Sequence, residues 1–175
     1  KNPEYLRYSA AHSTIILQNT NISEIKENNP HKKFPQSVVF NRDSFDDNVI
    51  FEGSHNGYVK KFSKILKRKL VISQNDNKII GEDSIISLKN TNNRIFYHIR
   101  FHLVDGISYN FTNNKRNVIL RTKLNKMWLF KSDFELGVED SILVDKNITV
   151  PTKQIVIKGV VKHTKQIRKW SLEKI

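Results

Sequence analysis

Cysteine is absent from this sequence. That excludes disulfide bonds and thiolate metal centres, so any bound metal would need histidine, aspartate or glutamate ligands. Long apolar runs are missing as well. No stretch approaches the ~20 residues that a membrane-spanning helix requires, and no membrane partner is expected. The opening stretch from Lys1 to Ser13 lacks the apolar core of a secretory signal. If the parent polypeptide is exported, its signal is expected upstream of Lys1, and both a periplasmic and a cytoplasmic setting stay open. Acidic residues are scarce: 17 Asp and Glu stand against 30 Lys and Arg, a formal charge of +13. An excess of that size favours polyanionic partners, whether nucleic acid, anionic lipid or an acidic polysaccharide, without choosing among them. A lysine- and asparagine-rich codon bias would produce the same excess, and composition leaves both origins open.

What the sequence does contain is short alternating apolar runs. The runs 37–40, 48–53, 69–73, 78–82, 84–88, 94–103, 117–122, 127–130, 135–141, 154–158 and 167–172 read as strands. Asn, Asp, Gly and Lys turns such as Gln74-Asn75-Asp76-Asn77 and Asn113-Asn114-Lys115 separate them. Many short strands at spacings of about 8–12 residues predict an all-β fold, an antiparallel β-sandwich, over a single domain 1–175. The helix signal is confined to residues 56–66, where Val59, Phe62 and Leu66 would share a face; an extended path is the alternative. Pro151 suits a strand start or an edge, where a missing N–H costs little.

Few residues are placed for chemistry. In the strand 94–103, Ile95, Tyr97, Ile99, Phe101 and Leu103 form a core face, leaving His98, Arg100 and His102 with Phe96 on the other. His98 and His102 lie ~13 Å apart along an extended chain, too far to share a metal without a sharp bend. Two readings of this ridge are open: an anion-binding groove centred on Arg100, or a polar face satisfied by its neighbours. Lys60, Lys61, Lys64, Lys67, Arg68 and Lys69 form the densest basic cluster. It would attract phosphate or sulfate groups, or it would guard an edge strand against pairing. His55 precedes a tight turn and either binds substrate or bonds to backbone. The carboxylate pairs Asp46-Asp47, Glu82-Asp83 and Glu139-Asp140 point to opposite faces in a strand and are poor acid–base pairs; they are read as turn residues. Glycine-rich phosphate loops, GxSxG and HExxH are all absent. His12 is read as opening one side of a strand with Thr14 and Ile16, and would ligate zinc only with partners from neighbouring strands.

Taken in order, several blocks carry a resemblance: Ala11-His12-Ser13-Thr14, Asn19-Thr20-Asn21-Ile22-Ser23-Glu24, His55-Asn56-Gly57-Tyr58, Ile99-Arg100-Phe101-His102-Leu103, Gln154-Ile155-Val156-Ile157-Lys158-Gly159 and Arg168-Lys169-Trp170-Ser171-Leu172. In this order the chain resembles the C-terminal β-sheet part of the heparinase II/III-like polysaccharide lyases. The resemblance implies a β-sandwich that follows a helical (α/α) toroid in the parent protein. It implies cleavage of uronate-containing, sometimes sulfated, polysaccharide by β-elimination: the carboxylate is neutralised, a Tyr or His base takes the C5 proton and the glycosidic oxygen leaves. It also implies a zinc ion held by two histidines and an aspartate, with His12 as the candidate third ligand. The HxH block, the aspartate and the toroid precede the AHST block in the family and are not found in the eleven residues before His12. The chain alone is therefore expected to be inactive and to hold no zinc by itself, with no catalytic residue of its own. Arg100, His102, His55, Lys67 and Arg68 are the expected contacts to an acidic polysaccharide, and the toroid is the expected protein partner. A non-catalytic carbohydrate- or polyanion-binding β-sandwich is the alternative; nucleic acid is disfavoured because no DNA- or RNA-reading motif appears.

Overall fold

The strand alternation seen in the sequence sorts into two facing layers in the computed structural model, which describes residues 4–26, 29–73, 75–89, 93–145 and 148–175. Two 3-10 turns, Glu4–Arg7 and Ser9–Ala11, lead into β1 (Ile15–Leu17). There follow β2 (Glu24–Lys26), β3 (Asn29–Lys33), β4 (Val38–Phe45) and β5 (Asn48–His55), then one helical turn, α1 (Val59–Phe62). The rest is β6 (Lys64–Ser73), β7 (Lys78–Ser87), β8 (Phe96–His102), β9 (Ser108–Thr112), β10 (Asn117–Arg121), β11 (Met127–Ser132), β12 (Leu136–Asp145), β13 (Ile148–Val160) and β14 (Lys165–Lys174). An eight-stranded sheet runs β4-β5-β6-β7-β14-β11-β10-β9 and a four-stranded sheet runs β1-β8-β13-β12, with β2 and β3 as a separate hairpin. Every pairing is antiparallel. The predicted all-β sandwich is the observed architecture.

Between the layers lies one apolar core. Ile15, Leu17, Tyr97, Ile99, Ile155 and Ile157 of the small sheet pack with Leu66, Ile85, Val118, Phe130 and Trp170 of the large one. Phe101 sits edge-on to Phe130 at 4.8 Å and to Trp170 at 4.7 Å. Two glycines make room for aromatic rings on their cross-strand partners. A Cβ on Gly81 would lie 2.1 Å from the Trp170 ring, and one on Gly159 would lie 2.4 Å from the Tyr97 hydroxyl.

Several expectations need correction. Residues 78–87 form one ten-residue strand, β7, rather than two, because Asp83 faces inward to Arg68 and Trp170 instead of turning the chain. β9 was not anticipated. The helical turn stops at Ser63, whose φ of 53° is left-handed, and the chain enters β6 at once. Leu66 therefore packs from a strand and shares no helical face with Val59 and Phe62. The basic cluster of β6 guards no edge, since β5 and β7 pair with it on both sides. Of the carboxylate pairs, only Asp46-Asp47 forms a turn; Glu82-Asp83 and Glu139-Asp140 lie inside β7 and β12. His12 precedes β1 rather than opening it. Pro151 pairs with Ile142 of β12 in the stretch of β13 that runs past the end of β8, an edge locally.

Candidate functional site

Alternation along β8 turns His98, Arg100 and His102 away from the core and across from β12 and β13. Arg100 Nη1 donates to Glu139 Oε2 at 2.9 Å, and Nη2 lies 3.2 Å from His98 Nδ1. Lys158 Nζ meets the other Glu139 oxygen at 2.5 Å. The hydrogen bond from Lys158, then that from Arg100, hold the Glu139 carboxyl below its ordinary range. His98 is depressed mainly by burial, then by the charges of Arg100 and Lys158. His102 Nε2 lies 3.1 Å from the Ala10 carbonyl and Nδ1 2.7 Å from Ser141 Oγ. A carbonyl only accepts, so Nε2 carries the proton and Nδ1 accepts from the hydroxyl, the neutral tautomer. Burial, the largest influence on His102, favours the same state. Among the described residues, two buried atoms on this face, Arg100 Nε and Gln154 Oε1, have no partner.

The segment leading into β1 is stitched to this face and to the large sheet. Ser13 Oγ accepts from the His102 N–H at 3.0 Å, the Ser13 carbonyl accepts from Arg68 Nη1 at 2.5 Å, and the Thr14 carbonyl accepts from the Arg100 N–H at 3.0 Å. Arg68 reaches inward. Its Nε and Nη2 donate to Asp83 at 2.6 and 2.9 Å, and its guanidinium lies over Phe101 and Trp170. Asp83 is fully buried and also accepts from Trp170 Nε1 at 2.9 Å. Lys67, on the opposite face of β6, pairs with Glu52 at 2.6 Å. Arg68 and His102 thus meet at Ser13, next to His12, and Arg100 joins them through its backbone bond to Thr14, whereas His55 belongs elsewhere. The His12 ring bonds to the Leu6 carbonyl at 2.8 Å and neighbours His102. No three His, Asp or Glu side chains among the described residues come together to hold a metal, so the donors around His12 do not complete a zinc centre.

His55 sits beside a groove of about 850 Å³ between the β1–β2 connection and the turn into α1. Its Nδ1 accepts from the Gly57 N–H at 3.2 Å, and burial lowers its pKa. Tyr58, fully buried, donates to the Thr20 carbonyl at 2.6 Å, and burial pushes its phenol up to about 12. It stays protonated and acts as a donor. Lys60, Lys61, Asn21, Asn56, Gln36 and Phe34 line the opening. Asn21 Oδ1 and Asn56 Oδ1 accept backbone N–H bonds from Ser9 and Ser37, which turns their amide nitrogens to other uses. Phe34 is 58% exposed. Sequence reasoning reached Lys60 and Lys61 only through the charge cluster, and Asn21 and Asn56 only as members of the resembling blocks. Phe34 and Gln36 carry no local signal; the path of the chain brings them to the groove.

With this geometry in hand, comparison with known proteins is informative. The profile of the family described as "Heparinase II/III-like, C-terminal" matches residues 1–171. A search of curated proteins found no match by sequence. Among solved structures, a heparan sulfate lyase HepC mutant from Pedobacter heparinus superposes with a TM-score of 0.73 at 12% identity, covering 97% of this chain and 25% of that one. The heparinase III encoded by BT4657, with methylated lysines, gives 0.71 at 8% identity over 98% of this chain and 24% of that one. A further heparinase III gives 0.67 at 10% identity over 94% and 23%. At such identities the likeness shows the fold, and the chain spans about a quarter of the length of these proteins.

Proposed function

The chain belongs to the heparinase II/III-like family, as its C-terminal portion, and from that premise we propose that it is the β-domain of a lyase for acidic, uronate-containing polysaccharide. Support comes from the groove at Tyr58. There two ammonium groups, two backbone-anchored amides and an exposed aromatic ring meet on a fold shared with a heparan sulfate lyase. Lys60 and Lys61 would meet carboxylate or sulfate groups, the amides of Asn21 and Asn56 would bond sugar hydroxyls, and Phe34 would offer an apolar platform. Arg68, Arg100 and His102 shape this wall by holding the lead into β1, and Lys67 has the most open cation among the contacts expected from sequence.

In the β-elimination proposed for the parent, a base must take the C5 proton while the carboxylate is neutralised. Among the described residues, Tyr58, His102 and His55 are not poised as that base. Tyr58 stays protonated and donates to a carbonyl, both His102 nitrogens are engaged, and His55 Nδ1 already accepts a hydrogen bond. The base would come from the N-terminal toroid, onto which this domain would dock, and the chain alone would be inactive. Zinc enters no step here; in the parent His12 would supply one ligand to donors from outside these residues. The test is binding of the chain to heparan-type oligosaccharide, neutral glycan and duplex DNA at matched salt. K60A/K61A should weaken oligosaccharide binding by about tenfold, with a shallower salt dependence and a stability change within about 0.5 kcal/mol. Equal affinity for DNA, or an unaffected double variant, would overturn the reading.

A further inference from the structure

A second basic site lies where the two layers open at one end. Lys64, the first residue of β6, is 3% exposed. Among the described residues its side chain has neither an ion pair nor a hydrogen bond. Burial lowers its pKa, and its ammonium faces a cavity rather than an acid. Its surroundings offer no relief, because the connections 87–95 and 161–165 contain no Asp or Glu at all. They add charge of the same sign instead. Lys64, Lys89, Lys162 and His163 line one cavity of about 270 Å³, together with the hydroxyl residues Ser87 and Thr164. The frame around it is fixed by backbone bonds from Ser87 to Thr164 at 2.7 Å, Leu88 to Ser63 at 2.9 Å and Val161 to Ile95 at 2.9 Å.

We infer that this cavity is a binding site for a tetrahedral oxyanion, sulfate in type. Three lysines and an imidazole converge from β6, the β7–β8 connection and the β13–β14 connection, and two hydroxyls complete the donor set. Lysine binds such groups as a point charge from any direction. A planar carboxylate would be matched by an arginine fork, and no arginine lines this cavity. The bound oxyanion supplies the counter-charge that Lys64 lacks. None of the Tyr58 groove residues contributes, so the inference stands apart from the proposed glycan wall. A free ion and a sulfate ester present the same tetrahedral oxygens to these donors.

Thermal melting in sodium sulfate against sodium chloride at matched ionic strength tests it. Sulfate strengthens burial generally, in a gradual, non-saturating way; a specific site adds a saturable rise. The wild-type chain should show that saturable rise and K64M should lose it, with at least about a tenfold weaker apparent affinity. Without sulfate, K64M should melt no lower than wild type, since it removes an uncompensated charge. K89A/K162A, at the rim, should weaken the response by several-fold with the fold intact. Amide shifts at Ser87 and Thr164 on adding sulfate give a second readout. A sulfated disaccharide and its unsulfated counterpart separate the two sources: saturation by the sulfated sugar assigns a glycan sulfate, saturation by inorganic sulfate alone assigns a free ion. The same saturable rise in K64M, or no saturable rise in wild type, would overturn the inference.

Discussion

Substituting Asp83 with alanine probes the centre of the sandwich. The carboxylate is 1% exposed and accepts three hydrogen bonds, from Arg68 Nε at 2.6 Å, Arg68 Nη2 at 2.9 Å and Trp170 Nε1 at 2.9 Å. Removing one partner of a buried ion pair costs about 3–5 kcal/mol, mostly because the other charge is left uncompensated. The Arg68 side chain keeps 23% exposure, so water recovers part of its loss, which places the pair at about 3 kcal/mol. An orphaned indole N–H adds about 1 kcal/mol. For a domain of this size each kcal/mol moves the melting temperature by about 2–4 °C, so D83A should melt about 8–16 °C lower by calorimetry. R68M should cost a similar amount. The R68M/D83L double variant should lose less than the sum, by about 1–3 kcal/mol, since both charges leave together. R68M should also speed exchange of the His102 amide, because the Ser13 carbonyl loses its anchor while Ser13 Oγ holds that N–H. A loss under about 2 °C for D83A, together with an R68M variant that melts normally but no longer binds acidic glycan, would refute the structural role of Arg68 and restore it as a ligand contact.

Other perturbations follow the same logic. G81A would drive a methyl into the Trp170 ring, which Phe101 and Phe130 hold in place; a loss of about 1–3 kcal/mol in denaturant unfolding is expected, and a neutral result would mean that the ring moves freely. The pKa values of His55, His98 and His102 are all depressed in the folded chain, chiefly by burial. The unfolded chain therefore binds more protons below about pH 6.5, and stability should be full above that pH and fall as pH drops through the folded values. Melting curves between about pH 7.5 and 5 should show this decline, flattened in H98Q/H102Q; a melting temperature that rises on acidification would contradict it. Glu139 adds a loss of the same sign at lower pH, as its depressed carboxyl takes up a proton and releases Lys158 and Arg100. Elemental analysis of the isolated chain should find zinc well below one equivalent, and a tight stoichiometric ion would overturn the view that His12 needs partners from outside these residues.

The layers were legible because alternation is a local signal. In β8, Tyr97 and Ile99 are buried while His98 and Arg100 face outward, as period-2 reading requires. What alternation could not show was where each strand sits. The lysines of β6 read like edge protection, but neighbouring strands pair with it on both sides, and an inward arginine there needs a buried acid. That acid, Asp83, looked like a turn residue because its partners, Arg68 and Trp170, are 15 and 87 positions away. The reason for Gly81 is equally distant: the ring that requires it arrives from β14. The site was legible only in fragments. The blocks at Asn19 and His55 meet at the Tyr58–Thr20 hydrogen bond, yet Phe34 and Gln36 reach the same groove from a stretch with no pattern of its own.

The most direct measurement follows unsaturated uronate by its ultraviolet absorbance, using the full-length parent polypeptide and the isolated chain on the same uronate-containing polysaccharides. The parent should form the unsaturated product and the chain alone should form none. Product from the isolated chain, or none from the parent on any acidic glycan, would contradict the assignment of this chain as the β-domain of a polysaccharide lyase.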